Sequence, residues 1–488
     1  MTNTKALNII KSFSRKELLK FEKFLSSPYY NNNKNLEKLF MLLKKYYPEF
    51  NSEQLNKKSI YESIYGKTKF KEDNLRKLFS DLYKLAEKFL AVLNLEESKI
   101  FYNKHLLEEL DKRNLDNIYR SKYKEAFEYL EHSGFHYQIF LYLHELKWQN
   151  VSFHLSRGEQ FSLPSEIFSR SEQIIFYFLS DLFITLNDID ANRMNFNYEH
   201  TNNLPQKFLD CLDIKSLIKY IEQNDFKNKE IFMLYYYSFL MNQNFDDEKY
   251  FYRTRSLLDK NFDKLNKQGK MNFVILLINY CNFKNKSSKK VNDEMIKASI
   301  ELYDILIKHE LYSNNNSFFR TDIFLNIFIT YLKYRDTNEA SSFLKRNIKA
   351  INPSHSENII SLCTAMTLFE EGKFKESLSI ASQLNWNFII FKLNLRKLLM
   401  KLNFELNEFD EIKDALNNYR HFVTESGSIS DVIKNNNLEF IKNYNDLLKI
   451  KNNGKDEFTL KVLIENIKKM NDILDRNWFT KKIRLIKK

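Results

Sequence analysis

Apolar residues recur every three to four positions through most of the chain, and that period predicts one helix after another. Ser14 and Glu17 form an S-x-x-E capping box ahead of Leu18, Phe21 and Leu25, and Ser27-Pro28 closes that helix. Leu36, Leu39, Phe40, Leu43 and Tyr47 line a second helix that stops at Pro48, and Ser59 to Tyr65 is a short one closed by Gly66. Leu75, Leu78, Leu82, Leu85, Phe89 and Leu93 share one stripe of a long amphipathic helix. Tyr123, Phe127 and Leu130, then Phe140, Leu143 and Leu146, continue the pattern; Gly158 and Pro164 bracket a connection. The period fades over Asn187 to Pro205, Phe283 to Lys290 and Asn314 to Asn316, which read as loops. Thr424 to Ser430 and Asn452 to Gly454 are the last breaks. Leu463, Ile467, Met470, Leu474 and Trp478 fall on one face and predict a single terminal helix that caps the rest.

Composition supports an all-α reading. The 488 residues include only 7 Gly and 5 Pro, too few breakers for many sheet turns. A length of 488 residues favours several subdomains or an extended array over one compact core. One stretch supplies the module of such an array. Ala365 is small enough for a helix crossing, and Phe369 lies one turn on. Gly372 suits the left-handed residue that ends a helix, while Phe374 and Leu378 open the next. Thirty-five residues later stand Phe404, Asn407 and Phe409. Thirty-five residues earlier stand Tyr334, Thr337 and Phe343, and a more distant copy falls at Tyr236, Leu240, Gln243 and Phe245. The order small-x3-Phe-x2-Gly-x-Phe-x3-Leu resembles the central part of a tetratricopeptide repeat, whose period is roughly 34 residues. The resemblance implies an α-solenoid of helical hairpins, here behind an N-terminal helical head. The expected organisation is a basic head over 1–95, a helical-repeat array over 96–455 and a basic capping helix over 456–488.

The formal net charge is +13 and is uneven. Residues 1–100 hold 20 basic and 12 acidic side chains, and residues 460–488 hold 9 and 3, so the ends carry +8 and +6 and the middle −1. A basic head and tail suit an acidic partner or nucleic acid. The same Lys excess accompanies abundant Asn, Ile, Phe and Tyr, the bias of AT-rich coding sequence, and then marks only solvated faces. Leu55 to Gly66 followed by Asn74 to Leu85 resembles the helix-turn-helix of winged-helix regulators that carry a helical-repeat domain. That resemblance implies nucleic-acid contacts from Arg76, Lys77, Lys84 and Lys88. A winged helix also needs a β-hairpin next, and Leu95 to Leu110 reads as helical. The head as a whole, from Ser14 through Leu90, together with the late Arg476-Asn477-Trp478, is similar to a set of uncharacterised helical proteins of Bacteroidetes-type bacteria, which implies a helical-repeat body and no known activity.

The motifs of catalysis are missing. No G-x-x-x-x-G-K-[ST], G-x-G-x-x-G, G-x-S-x-G or H-E-x-x-H occurs. His132, His136, His144 and His154 lie within 23 residues, but Gly134 separates the first two, and the bland reading as half-buried histidines is preferred to a metal site. Glu370 and Glu371 are adjacent and so point apart on a helix. Cys211, Cys281 and Cys363 form no C-x-x-C pair, which suits a reducing compartment. Met1 to Lys11 lacks the apolar run of a signal peptide, and the most apolar stretches, Ile174 to Leu186 and Phe273 to Phe283, are too short to span a bilayer. The expectation is a cytoplasmic, non-enzymatic scaffold without cofactor or metal that binds a protein or peptide partner. The alternative is a nucleic-acid-binding regulator working through the basic head.

Overall fold

The computed structural model describes residues 4–50, 55–159, 163–196, 202–287, 293–313, 318–385, 388–427, 429, 431–453, 457–470 and 473–487. Among them are 24 α-helices and no β-strand, so the fold is all-α. The chain divides into two compact units, one made of Met1–Leu130 with Gln149–Glu159, the other of Glu131–Trp148 with Gln160–Lys488.

The first unit opens with α1 (Lys5–Ser12), α2 (Arg15–Ser26), α3 (Lys34–Lys44), α4 (Lys57–Tyr65) and α5 (Glu72–Glu97). The Ser14 hydroxyl accepts from the Glu17 amide at 3.2 Å and the Glu17 carboxylate accepts from the Ser14 amide at 2.6 Å, so the capping box is formed at both ends. Phe21 is the hub of the core. Its ring meets Phe13, Phe40 and Phe89 at 5.3, 5.1 and 5.2 Å, joining four segments of the head. The leucine stripe of α5 closes this core, with Leu75, Leu78, Leu82, Phe89 and Leu93 all buried. α6 (Lys99–Lys112) and α7 (Asp116–His132) follow. Arg157 fixes them to the C-terminal part of α8 (Gln138–Ser156): its guanidinium donates to Asp111 at 2.8 Å and Asp116 at 2.7 Å and lies 3.7 Å above the Phe153 ring. The same Phe153 ring stacks on Tyr119 at 3.9 Å.

The second unit contains α9 (Leu163–Phe196), α10 (Leu204–Asp210), α11 (Ile214–Gln223), α12 (Lys229–Gln243), α13 (Lys249–Asn261), α14 (Lys267–Ser287) and α15 (Asp293–Lys308). It continues with α16 (Thr321–Tyr334), α17 (Thr337–Asn347), α18 (Pro353–Glu370), α19 (Phe374–Ala381), α20 (Ile389–Leu406), α21 (Phe409–Glu425), α22 (Asp431–Asn453), α23 (Glu457–Lys469) and α24 (Ile473–Lys487). From α12 to α15 and from α16 to α24 each helix packs on the one that follows, and α12–α14, α16–α18, α18–α20 and α22–α24 also touch. α9 packs on α12, where Phe176 stacks on Phe232 at 4.7 Å and Phe183 on Phe239 at 5.0 Å, and it also meets α22.

The structure corrects four boundary expectations. α9 runs through Asn187 to Phe196, so that polar stretch is the end of a long helix, with Asn187 buried and Ala191, Asn192 and Arg193 exposed; α10 begins at Leu204. α14 likewise continues through Phe283 to Ser287. The terminal helix is two helices, α23 closing where the Met470 amide donates to the Ile467 carbonyl at 3.1 Å and α24 opening at Ile473. Tyr334 ends α16 and Thr337 begins α17, capped by Asp336, so that turn is made without a left-handed residue, and the Phe343 ring meets Phe324 at 4.8 Å and Tyr331 at 5.5 Å. Asn314 to Asn316 and Gly454 lie outside the described residues.

An internal repeat emerges 86 residues apart. Leu257, Asn261, Phe262, Leu265 and Asn266 correspond to Phe343, Asn347, Ile348, Ile351 and Asn352. In each copy a helix ends on the Asn, whose side chain donates back four residues, at 3.0 Å to Leu257 and 2.9 Å to Phe343. A short 3-10 turn follows, Phe262–Lys264 or Ile348–Ala350. The next residue then makes an isolated parallel bridge, Leu265 with Phe135 and Ile351 with Phe319. The second Asn caps the start of the next helix, accepting from Gly269 at 2.8 Å and from Ser354 at 3.0 Å.

Candidate functional site

The hairpin of α18 and α19 forms as its residues dictate. Gly372 has φ +78°, its amide donates to the Phe369 carbonyl, and the Lys373 amide reaches back to Leu368 at 2.9 Å, a Schellman ending. The copy at α20–α21 repeats it: Asn407 has φ +61° and the Glu408 amide donates to Asn403 at 3.0 Å. Ala365 is fully buried at the helix crossing, and the buried Ser377 hydroxyl donates to the Ala365 carbonyl at 2.7 Å. Phe369 and Phe374 face each other across the turn at 5.5 Å. Leu378 is half-buried and Phe404 is buried; the Phe409 side chain lies outside the described ones. Ser377 escaped sequence reasoning because a serine carries no signal of burial.

The two helices of this hairpin differ in length, 18 residues against 8. α19 stops at Ala381, so the N-terminal half of α18 stands beyond it and a notch of about 310 Å³ opens. Glu357, Asn358, Ser361 and Thr364 of α18 line it opposite Ile380, Gln383 and Leu384, and Ile360, 38% exposed, completes the wall. The lining is one carboxylate, neutral amides and hydroxyls, and three aliphatic side chains. No cation lines it.

On the head, α5 keeps Arg76, Lys77, Lys84 and Lys88 exposed. Arg76 donates to Glu72 at 3.1 Å, and Lys88 lies 5.1 Å from the Tyr30 ring. α5 is followed directly by α6, with no strand among the described residues.

α7 ends at His132 and Gly134 takes φ +76°, so His132 and His136 share no helix; burial holds His136 below its usual range. His144 contacts the Arg170 carbonyl at 3.1 Å and His154 the Glu159 carboxylate at 2.7 Å. No group of three metal-ligating side chains occurs among the described residues, and none of their helices is long and apolar enough to cross a membrane. The three cysteines are unpaired, and burial pushes the Cys281 thiol up to about 12, far from a reactive thiolate. A buried polar cluster joins α20 to α24. Asp475, 2% exposed, accepts from Lys397 at 2.7 Å and Lys401 at 2.6 Å; Glu405 accepts from Trp478 at 2.7 Å and pairs with Lys482. Each carboxylate is matched to ammonium groups, so the cluster clasps α20 to α24. No family model, no curated protein and no solved structure matches the chain.

Proposed function

We propose that the chain is a non-enzymatic interaction scaffold, built as a tetratricopeptide-like α-solenoid, whose α18–α19 notch receives a peptide segment of a partner protein in the cytoplasm. The observation that carries this reading is the notch itself. It lies on the α18–α19 hairpin, arises from the shortness of α19, and offers amides and hydroxyls for peptide groups around an aliphatic wall. A single carboxylate, Glu357, favours a neutral or basic segment over an anionic one. The unpaired cysteines fit a reducing compartment.

The test is a photo-crosslinking residue placed at Ile360 in the full chain, with lysate captured at two salt concentrations, nuclease-treated and untreated. A protein that crosslinks after nuclease treatment and is lost when Ser361→Trp fills the notch supports the scaffold. Crosslinking that Ser361→Trp leaves unchanged sinks the notch as the site. Nucleic acid that co-purifies and falls away as salt rises, with no protein crosslinked at Ile360, would move the function to the basic head.

A further inference from the structure

The loop joining α2 to α3 presents Tyr29 at 85% exposure, the highest of the large apolar side chains among the described residues. An exposed ring on a loose loop would mean little, but this loop is tied down. Asn31, buried, donates from Nδ2 to the carbonyls of Leu25 at 2.9 Å and Asn33 at 3.2 Å, while its Oδ1 accepts from the Asn33 amide at 2.9 Å. The Tyr30 and Asn31 amides both return to the Ser27 carbonyl. Tyr30 stacks on Phe24 at 4.0 Å, and Phe24 rests against Phe89 of α5 at 5.5 Å. Tyr29 meets Tyr30 edge-on at 5.0 Å, so the outermost ring is braced through two others to the core while most of its surface stays in solvent.

Beside this platform runs a line of charge. Lys88, whose ammonium sits 5.1 Å from the Tyr30 ring, shares a line along α5 with Lys84 and Lys77, all exposed. The line is about 16 Å long at 1.5 Å per residue. Asp81 is the carboxylate that lies within it and Glu87 flanks it, which moderates the field. A braced aromatic ring at the end of an ammonium track is the arrangement that takes single-stranded nucleic acid: a base stacks on the ring whatever its identity, and the phosphates follow the cations. A duplex offers no free base face.

We propose that the head binds single-stranded nucleic acid, one base stacking on Tyr29 and the adjoining backbone lying along Lys88 and Lys84. This surface is separate from the peptide notch and does not depend on it. The experiment is fluorescence anisotropy of the full chain with a labelled oligothymidylate, the matching oligouridylate and a duplex of equal length, over a salt series. The expected result is binding of both single strands, weaker binding of the duplex, and affinity that falls with salt. Tyr29→Ala should weaken the single strands roughly ten-fold and Tyr29→Phe should restore them. Lys84→Glu with Lys88→Glu should weaken binding and flatten the salt slope. Tyr29 is so exposed that its variants should melt like the parent. No binding at low salt, equal affinity for the duplex, or indifference to Tyr29→Ala would each overturn the proposal. So would loss of a protein partner on Tyr29→Ala while oligonucleotide binding persists.

Discussion

Five helices end in the same backbone form. At Asn114, Gly158, Glu310, Gly372 and Asn407 the φ angle is positive, and the following amide reaches back five residues, to Leu110, His154, Leu306, Leu368 and Asn403. Glycine takes this conformation freely, asparagine tolerates it, and glutamate is strained by about 1 kcal/mol. Glu310→Gly should therefore raise the midpoint of thermal unfolding. Gly372→Ala should lower stability by about 1 kcal/mol through backbone strain alone, since an added Cβ there meets nothing within 4 Å. A melt that Glu310→Gly leaves unmoved would contradict the first. The capping box gives a pH effect. The Ser14 hydroxyl and amide hold the Glu17 carboxyl below its usual range. A depressed carboxylate stabilises the fold above its unfolded value near 4.5, and that stability fades as pH falls through the lower folded value. Ser14→Ala should shrink the difference between melts at neutral and acidic pH. At this scale the sequence was legible where partners are close: Ser14 with Glu17, and Gly372 and Asn407 at their offsets, needed no tertiary information. Ser377, Asn261 and Asn347 were not, because the buried Ser377 answers to a neighbouring helix, and the buried Asn261 and half-buried Asn347 to a 3-10 turn that no local pattern announces.

Between elements, the α20–α24 clasp is the interaction to break. Asp475→Asn leaves the nearly buried Lys397 and Lys401 ammoniums without this counter-charge, and should cost about 3 kcal/mol or more in chemical denaturation. Replacing all three by apolar residues of similar volume should recover most of that loss; if the triple variant is no better than the single one, the cost was not electrostatic. Lys397 and Asp475 are 78 residues apart, and nothing in either neighbourhood pairs them. The α9 helix shows the opposite failure. Gln173, Ser180 and Asn187 recur every seven residues and all three are buried, a polar line inside the helix that a count of apolar positions does not register. The notch was invisible for a related reason: α19 ends at Ala381 with neither glycine nor proline to mark it, so the mismatch of helix lengths exists only once both helices are built.

At the scale of the whole molecule, the all-α class followed from periodicity and the scarcity of breakers, which are averages over many residues and survive local misreadings. The second unit is assembled mainly from helices packed on their sequence neighbours. Stability in such packing is a sum of local terms, so unfolding should proceed in stages. Calorimetry should return an enthalpy larger than the van't Hoff value, and hydrogen exchange should show blocks of unequal protection. One sharp transition with equal enthalpies would contradict this. The Schellman turns carry a further consequence. Where the chain reverses at Asn114, Gly372 and Asn407, the next helix starts within two residues of the left-handed one. A protease needs a longer run of extended chain to fit its cleft. Although lysine and arginine total 76, trypsin should find these three hairpin bends closed to it, and early cuts should fall elsewhere.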